Sequence, residues 1–514
     1  MTDLILEAKD AGDWIYRGEG AANLILSYTG SSPPFVGKVL RVQKRNGTNC
    51  EEVSSDLSVH ECLLWKQDCD LLSAQTREIA EHLYVQHVVK PLLGSGHVDA
   101  GVRIFVSRDF LNSVRKDVLS WRPSWRVDDA DVNTQCNYAL LISDHSVFSQ
   151  ALHDEELSIS VEIKDNNDGG IGLLTRITEH IVLMYKELGC VLKFLLEFQY
   201  AVLLCCFFPM QPKCGFLPSS RYILEENAIK RSMTRFKLHQ SLKLQQKKIS
   251  QISQYDPLDI FSGSKERILK SIQDLFSTPQ NNFRVFLNGS LVFGSLGGGK
   301  YRTNINNDKA LEDALKFVIE ADDGMRTTCF LQLVTEAIYR SGLLDQLLEV
   351  QKLDVFDIEG AIHAYYDVVS QSCEVCRELG EDRLSGRYSS LHSLPLDGSL
   401  KIVREYLISA TAKDLSLMIS FRTRHKGDPR SPYNVIFHES TGQSFDYKVS
   451  FIDLDMKPLE KMLFYYELDQ KIMRRYKNMM KTTKPPEISA SVEGKTPYRD
   501  KSVVVEDGSP TRDF

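Results

Sequence analysis

Ile15-Tyr16-Arg17-Gly18-Glu19-Gly20-Ala21-Ala22-Asn23-Leu24-Ile25-Leu26 runs apolar, then through glycines and small residues, then apolar again, which predicts two strands joined by a tight glycine turn between Trp14 and Tyr28. A third strand follows at Phe35 to Gln43 and carries Val36-Gly37-Lys38-Val39-Leu40-Arg41. In such a layout small residues let backbone N–H groups approach phosphate oxygens, and a cation on the next strand neutralises them. A plain β-hairpin uses the same residues, so the nucleotide reading depends on what stands further along the chain.

Working outward, helical periodicity around His60 to Cys69 and Ala74 to Tyr84 completes a small α/β lobe over residues 1–145. A second α/β lobe, residues 146–480, alternates strand-like Ile159 to Lys164, Phe283 to Val292 and Asp446 to Asp453 with amphipathic Phe330 to Lys352 and Lys401 to Ala410. Residues 481–514 turn to Lys, Pro, Glu, Ser and Thr, the composition of a disordered tail. The 514 residues hold 62 Lys+Arg against 69 Asp+Glu, for a net charge of -7, which excludes a polybasic nucleic-acid binder but not a local cluster of cations for a compact polyanion. Eleven cysteines and a start without a basic-then-apolar signal point to reduced thiols in cytoplasm and nucleus. Cys clusters are therefore read first as metal sites. Val191 to Phe208 is apolar, but it is barely long enough to span a bilayer and contains Lys193 and Glu197, so no membrane association is expected.

Three constellations can carry chemistry. Ala412-Lys413-Asp414 and Phe451-Ile452-Asp453-Leu454-Asp455 set carboxylates beside strand-like segments. Phosphoryl transfer needs one carboxylate to receive a hydroxyl proton and another to hold Mg²⁺, although carboxylates at strand ends are common without function. Basic residues recur at Lys164, Lys213, Arg235 to Lys243 and Lys457 with Lys461. Lys457, Lys461 and Tyr465 step by four, so a helix would turn all three toward one anionic pocket, the bland alternative being a solvated face. Finally, Cys373-x2-Cys376 with His363 and His392 offers four ligands and no open position, which is either a structural metal site or two unpaired cysteines in a loop.

Taken together, these residues resemble the plant-type inositol-pentakisphosphate 2-kinases over nearly the whole chain. The matching strings are Asp13-Trp14-Ile15-Tyr16-Arg17-Gly18-Glu19-Gly20, His97-Val98-Asp99-Ala100-Gly101-Val102, Tyr255-Asp256-Pro257-Leu258-Asp259, Pro279-Gln280-Asn281-Asn282-Phe283-Arg284 and Thr411-Ala412-Lys413-Asp414. The resemblance implies a two-lobed, protein-kinase-like α/β (α+β) fold and transfer of the γ-phosphate of ATP to the 2-hydroxyl of inositol 1,3,4,5,6-pentakisphosphate. It further implies Asp414 as the base, Lys164 as stabiliser of the phosphoryl group and Asp453 as the Mg²⁺ ligand. Gly18, Glu19, Gly20, Ala21, Asn23, Arg41, Asp144, His145, Glu162, Arg284 and Met418 match the nucleotide site. Arg45, Arg126, Lys213, His239, Lys243, Asn281, Asn282, Lys457, Lys461 and Tyr465 match the inositol-phosphate pocket. His363, Cys373, Cys376 and His392 match a structural Zn²⁺ site in the C-terminal lobe. A monomer with a small-molecule substrate is expected.

Three departures stand out. The basic run after the third strand is poorer here, which leaves Arg45 as the phosphate contact or removes that contact. Lys461 stands where the plant relatives carry Arg, a point charge in place of a bidentate fork. The family string Glu-Ile-Lys-Pro-Lys is split, because Glu162-Ile163-Lys164 is separated from Pro212-Lys213 by the 47 residues Asp165 to Gln211. That break looks like a retained intron translated in frame, the alternative being a genuine loop. A catalytically impaired inositol-polyphosphate binder on the same fold is the competing functional reading.

Overall fold

The computed structural model describes residues 5–20, 22–45, 57–74, 76–122, 124–148, 157–163, 214–280, 282–295, 304–305, 308–379 and 388–483. Lys164, Lys213, Ala21, Asn281, the 165–211 insertion with its apolar stretch, and the tail beyond residue 483 lie outside these.

The N-terminal sheet is built from β1 (Ile5–Leu6), β2 (Trp14–Glu19), β3 (Asn23–Tyr28), β4 (Lys38–Arg45), β5 (Val102–Val106), β6 (Asp131–Val132) and β7 (Tyr138–Ser143), in the order β1-β5-β7-β4-β3-β2 with β6 on β4. Only β1 and β5 run parallel. The glycine turn forms between β2 and β3 as the pattern predicts, closed by Gly20 N–H donating to the Asn23 carbonyl at 2.8 Å. The third strand starts later than the apolar run suggests, at Lys38. Pro33-Pro34 opens a turn, and Phe35 is drawn into an aromatic cluster with Trp14 and Tyr28, centroids 5.6 and 5.4 Å away. Leu24, Leu26, Leu40, Val42, Ile104 and Leu141 bury one face of this sheet under the helix Arg108–Val118.

The C-terminal sheet comprises β8 (Ser158–Ile163), β9 (Phe283–Leu287), β10 (Ser290–Ser295), β11 (Asn304–Ile305), β12 (Ser416–Arg424), β13 (Asn434–His438) and β14 (Gln443–Ile452), in the order β11-β10-β9-β8-β12-β14-β13. Phe283 to Val292, read as one strand, is a hairpin. Asn288 and Gly289 take φ of 45° and 78° at its two-residue turn, where Asn-Gly is the favoured pair. Phe330 to Lys352 is likewise two helices, Arg326–Ser341 and Leu343–Gln351, separated by Gly342 at φ 63°. These pack with the helix Leu396–Asp414 against the inward row Ile159, Val161, Phe283, Val285, Ile419, Phe421 and Phe451.

One assignment changes. The helices Val59–Leu64, Cys69–Leu72, Arg77–Tyr84 and Lys90–Leu93 precede the end of the first sheet in sequence, yet Leu64, Trp65, Leu71, Ala80, Tyr84, Leu93 and Val98 belong to the core of the C-terminal lobe. Amphipathic periodicity shows that a helix buries a face without saying against which core. The chain thus leaves the N-terminal sheet after β4, braces the larger lobe and returns at β5. Among the described residues no helix is long and apolar enough to cross a membrane.

Candidate active site

The glycine turn lies between β2 and β3 of the N-terminal sheet. A Cβ added at Gly18 or Gly20 would meet nothing within 4 Å, so the backbone is open to an approaching anion. Glu19 is placed differently from the expectation that it faces a nucleotide. Its carboxylate is buried and committed to Lys44 Nζ at 2.6 Å and to Arg122 Nε and Nη2 at 2.9 Å, an internal network that stiffens the hairpin. Arg126 lies in the same lobe, its carbonyl accepting from Arg122 at 3.0 Å and its charge beside Lys44. Arg45 ends β4, exposed, opposite Asp131.

The segment linking the lobes is fixed by its own side chains. Asp144 accepts from Ser146 N–H at 2.9 Å and from Arg17 at 3.0 Å, and Lys448 donates to the Asp144 and Val147 carbonyls at 3.3 and 2.5 Å. Burial, aided by Lys448, pushes the His145 imidazole down to about 4, so it is neutral. The Asp144 carboxylate is thus occupied by Arg17 and Ser146.

The cleft floor follows from strand register. Arg284, Glu162, Met418 and Ser450 lie opposite one another across β9, β8, β12 and β14, and period-two alternation puts all four on one face. Glu162 and Arg284 pair at 3.2 Å. Arg41 projects from β4 to pair with Asp455, and its guanidinium also donates to the Asn23 amide oxygen at 2.6 and 3.0 Å with the amide oriented to face its donors.

Asp414 and Asp453 stand at two element ends, Asp414 two residues before Ser416 and Asp453 bonded to it. Leu415 turns extended (φ -65°, ψ 162°), so the helix Leu396–Asp414 stops at Asp414. Asp453 takes φ 62°, which ends the β14 ladder, and its carboxylate accepts from Ser416 Oγ at 2.9 Å. A carboxylate at the negative pole of a helix is electrostatically unfavourable. Here Lys457 Nζ stands 2.5 Å from Asp414 Oδ2, both side chains being under 10% exposed (9% and 2%). Burial raises the Asp414 carboxyl above its ordinary range against the pull of Lys457 and Lys461. Burial opposes charge on Lys457, but Asp414 and then Tyr465 and Asp455 outweigh it, so the ammonium is held charged.

Lys457, Lys461 and Tyr465 do not share a helix as their spacing suggests. The helix is Lys461–Thr483, because Pro458 bars the preceding residue from helical geometry. Lys457 reaches Asp414 from the loop 453–460 instead. Tyr465 is buried, and its hydroxyl has no hydrogen-bond partner among the described residues. Facing this helix, Arg235–Gln245 presents His239 and Lys243 one turn apart, both buried, and the two helices share Leu238, Leu242, Leu468, Ile472 and Met473. Burial and then Lys243 hold His239 well below its ordinary value. Asn282 is buried beside them through Gln280, which bonds Gln240 at 3.0 Å.

Sequence reasoning passed over three residues as site members. Arg235 keeps Nε and Nη2 buried with no partner among the described residues, and its i, i+4, i+8 spacing with His239 and Lys243 could have revealed it. Asp455 was quoted without a role. Half-buried Glu81 has no sequence signal; burial and then Asp455 push its carboxyl up to about 7, while Arg41 and Arg77 oppose.

Away from the cleft, His363 Nδ1, Cys373 Sγ, Cys376 Sγ and His392 Nε2 converge, with His363–His392 3.3 Å, Cys373–His363 3.4 Å, Cys376–His363 3.3 Å and Cys376–His392 3.2 Å. A tetrahedral Zn²⁺ shell of nitrogen and sulfur ligands has edges of about 3.3–3.8 Å, so the donor set and spacing fit that ion. His392 Nδ1 meets Asp367 Oδ1 at 2.7 Å, the outer carboxylate that fixes a ligating imidazole.

A family model described as inositol-pentakisphosphate 2-kinase matches residues 16–165 and 208–471, and its gap falls within a few residues of the insertion. The chain is 50% identical over 484 residues to an inositol-pentakisphosphate 2-kinase of Arabidopsis thaliana, covering 93% of this chain and 96% of the relative. It is 47% identical over 481 residues to one of Oryza sativa subsp. indica (92% and 95% covered) and 26% identical over 547 residues to one of Danio rerio (94% and 96%).

Proposed function

The chain belongs to the inositol-pentakisphosphate 2-kinase family, and from that premise we propose how its interlobe cleft moves the γ-phosphoryl group of ATP to the 2-hydroxyl of inositol 1,3,4,5,6-pentakisphosphate, giving inositol hexakisphosphate. The observation that carries the assignment of roles is Asp414 at its helix end paired with Lys457, two residues before Ser416, whose hydroxyl donates to Asp453.

Asp414 accepts the hydroxyl proton as the oxygen attacks phosphorus. A carboxyl whose pKa is raised by burial is a better proton acceptor than a solvated one, and Lys457 keeps it ionised. Asp453 would hold Mg²⁺, with Asp455 as a neighbouring hard oxygen donor. That ion would supply positive charge that offsets the charge developing on the nucleotide phosphates. Arg41, Arg284 and the glycine turn hold phosphate oxygens, the Asp144-His145 backbone meets adenine and Met418 packs on the ring. Lys164 is the proposed cation on the transferring group.

The substrate carries five phosphates, so its pocket must be built of cations and neutral donors. Lys457, Lys461, Lys243, Arg235, neutral His239, Asn282 and Tyr465 supply them from the larger lobe. Lys213, Asn281, Arg45 and Arg126 are carried to this role by resemblance. Many fixed cations also orient the ring so that one hydroxyl lies in line with the γ-phosphate. The His363-Cys373-Cys376-His392 quartet would hold a structural Zn²⁺. The whole is proposed to act in cytoplasm and nucleus.

Incubation with Mg-ATP and inositol pentakisphosphate should yield the hexakisphosphate; ligand binding without product would instead leave a receptor on this fold. Deleting Asp165 to Gln211 rejoins Lys164 to Pro212-Lys213, two lysines at i and i+2 that a strand would turn the same way. The shortened protein is expected to be severalfold more active and more soluble, and equal activity and solubility of the two forms would rule this out.

A further inference from the structure

The loop between β14 and the helix Lys461–Thr483 carries Asp453, Asp455 and Lys457 but has no regular structure of its own. Its backbone is held from outside, mostly by residues 57–98. Phe451 N–H donates to the His97 carbonyl at 2.8 Å just before the loop. Near the far end, Leu459 N–H donates to Glu61 Oε1 at 3.2 Å, and Glu61 is fixed in turn by Arg77 Nη2 at 3.4 Å and by a capping box with Ser58. In the middle, Tyr84 Oη donates to Thr411 Oγ1 at 3.1 Å and Thr411 Oγ1 donates to the Asp455 carbonyl at 3.1 Å.

Tyr84, Thr411 and Glu61 are at most 2% exposed. The Tyr84 and Thr411 hydroxyls each donate once and the Asp455 carbonyl only accepts, so the direction of the relay is fixed. Thr411 lies one turn before Asp414 on the same helix, which ties the Asp455 carbonyl to the element that ends in the base. A carbonyl anchored in this way sets the position of Lys457 two residues on, within 2.5 Å of Asp414.

We propose that Tyr84, Thr411 and Glu61 are positioning residues, a buried brace that pre-orders the loop 453–460 so that Lys457 stands ready for a phosphate of the inositol substrate before that substrate arrives. The proposal rests on the reading of Lys457 as a substrate contact. Side chains of the loop are held as well, Asp453 by Ser416, Asp455 by Arg41 and Lys457 by Asp414, so loss of the Thr411 hydroxyl loosens the backbone at Asp455, two residues before Lys457, while those contacts and the segments proposed to bind ATP are kept.

The test is Thr411→Val in the full chain, with Thr411→Ser as the conservative variant. Thr411→Val should raise KM for inositol pentakisphosphate roughly tenfold, the order expected for a contact displaced by a fraction of an ångström, and leave KM for ATP within about twofold. A variant that merely folds less well would lose kcat with both KM values unchanged. Without any ligand, amide exchange across Leu454 to Lys461 should be faster in Thr411→Val and restored in Thr411→Ser. Unchanged exchange there would overturn the brace. Faster exchange with an unchanged KM for inositol pentakisphosphate would uphold the brace and remove Lys457 from the substrate site.

Discussion

Asp414→Asn should abolish most turnover, lowering kcat by about 10²–10⁴-fold, the range contributed by a positioned general base. The amide keeps the shape of the carboxylate but cannot take the hydroxyl proton. The same change leaves Lys457 buried without its counter-ion, and breaking one side of a buried pair costs roughly 3–5 kcal/mol. A fall in activity alone would therefore be ambiguous. Calorimetric titration with inositol pentakisphosphate separates the two effects, because a folded Asp414→Asn variant has lost one negative charge near the substrate phosphates and should bind at least as tightly as the parent.

The pH profile gives a second, independent reading. The base must be deprotonated to act, so kcat/KM should fall on the acid side through the pKa of Asp414 in the free enzyme. Burial raises that pKa while Lys457 and Lys461 lower it, with a net shift upward, so the acid limb lies above the ordinary carboxylate range. Asp414→Asn should erase that limb from its residual rate. Turnover within twofold of the parent in a variant shown to be folded would sink the assignment of Asp414 as base.

What could be read in the sequence was what local chemistry dictates. The hairpin from Trp14 to Tyr28 was legible because apolar runs on both sides of Gly18 and Gly20 admit few alternatives. The metal quartet was legible in composition because Cys-x2-Cys restricts two thiols to one neighbourhood, although only the fold brings His363, Cys373, Cys376 and His392 together. Partners far apart in sequence were not legible. Glu19 stood in a phosphate-binding pattern, yet Lys44 and Arg122 claim its carboxylate, and no periodicity reports a contact across 103 residues. The spacing of Lys457, Lys461 and Tyr465 suggested one helical face; Pro458 breaks the helix, and the loop restores the convergence by another route. The helices between Val59 and Leu93 announced a buried face but not its lobe. Arg235 lies in the basic stretch Arg235 to Lys243, whose members His239 and Lys243 were legible by resemblance, and its own i, i+4, i+8 spacing with them is the signal that goes unused.

Removing the Zn²⁺ proposed for the His363-Cys373-Cys376-His392 site should lower the stability of this protein strongly. Structural Zn²⁺ binds zinc-finger peptides with apparent free energies of about 10–16 kcal/mol, and that energy is folding energy where the site is absent from the unfolded chain. A lobe with an extensive core does not depend on the ion to the same degree. The quartet nevertheless reaches into that core: His363 is fully buried, stacks on Tyr388 at 4.1 Å, and its Nε2 has no hydrogen-bond partner among the described residues. Without an ion two thiols and two imidazoles would crowd within 4.8 Å, and the Tyr388 and Tyr222 that stack beyond His363 would lose firm backing. At roughly 2–4 °C per kcal/mol for a domain of this size, a loss of several kcal/mol places the fall in Tm at about 10 °C or more. Metal analysis should find one zinc per chain, and Cys376→Ser or a strong chelator should produce that fall, reversed by added Zn²⁺ for the chelated protein. Asp367→Asn should weaken zinc retention about 10–100-fold through the imidazole it orients, without removing a ligand. Purified protein that is free of metal yet unfolds at the same temperature with and without Zn²⁺ would show that the four side chains converge without a structural ion.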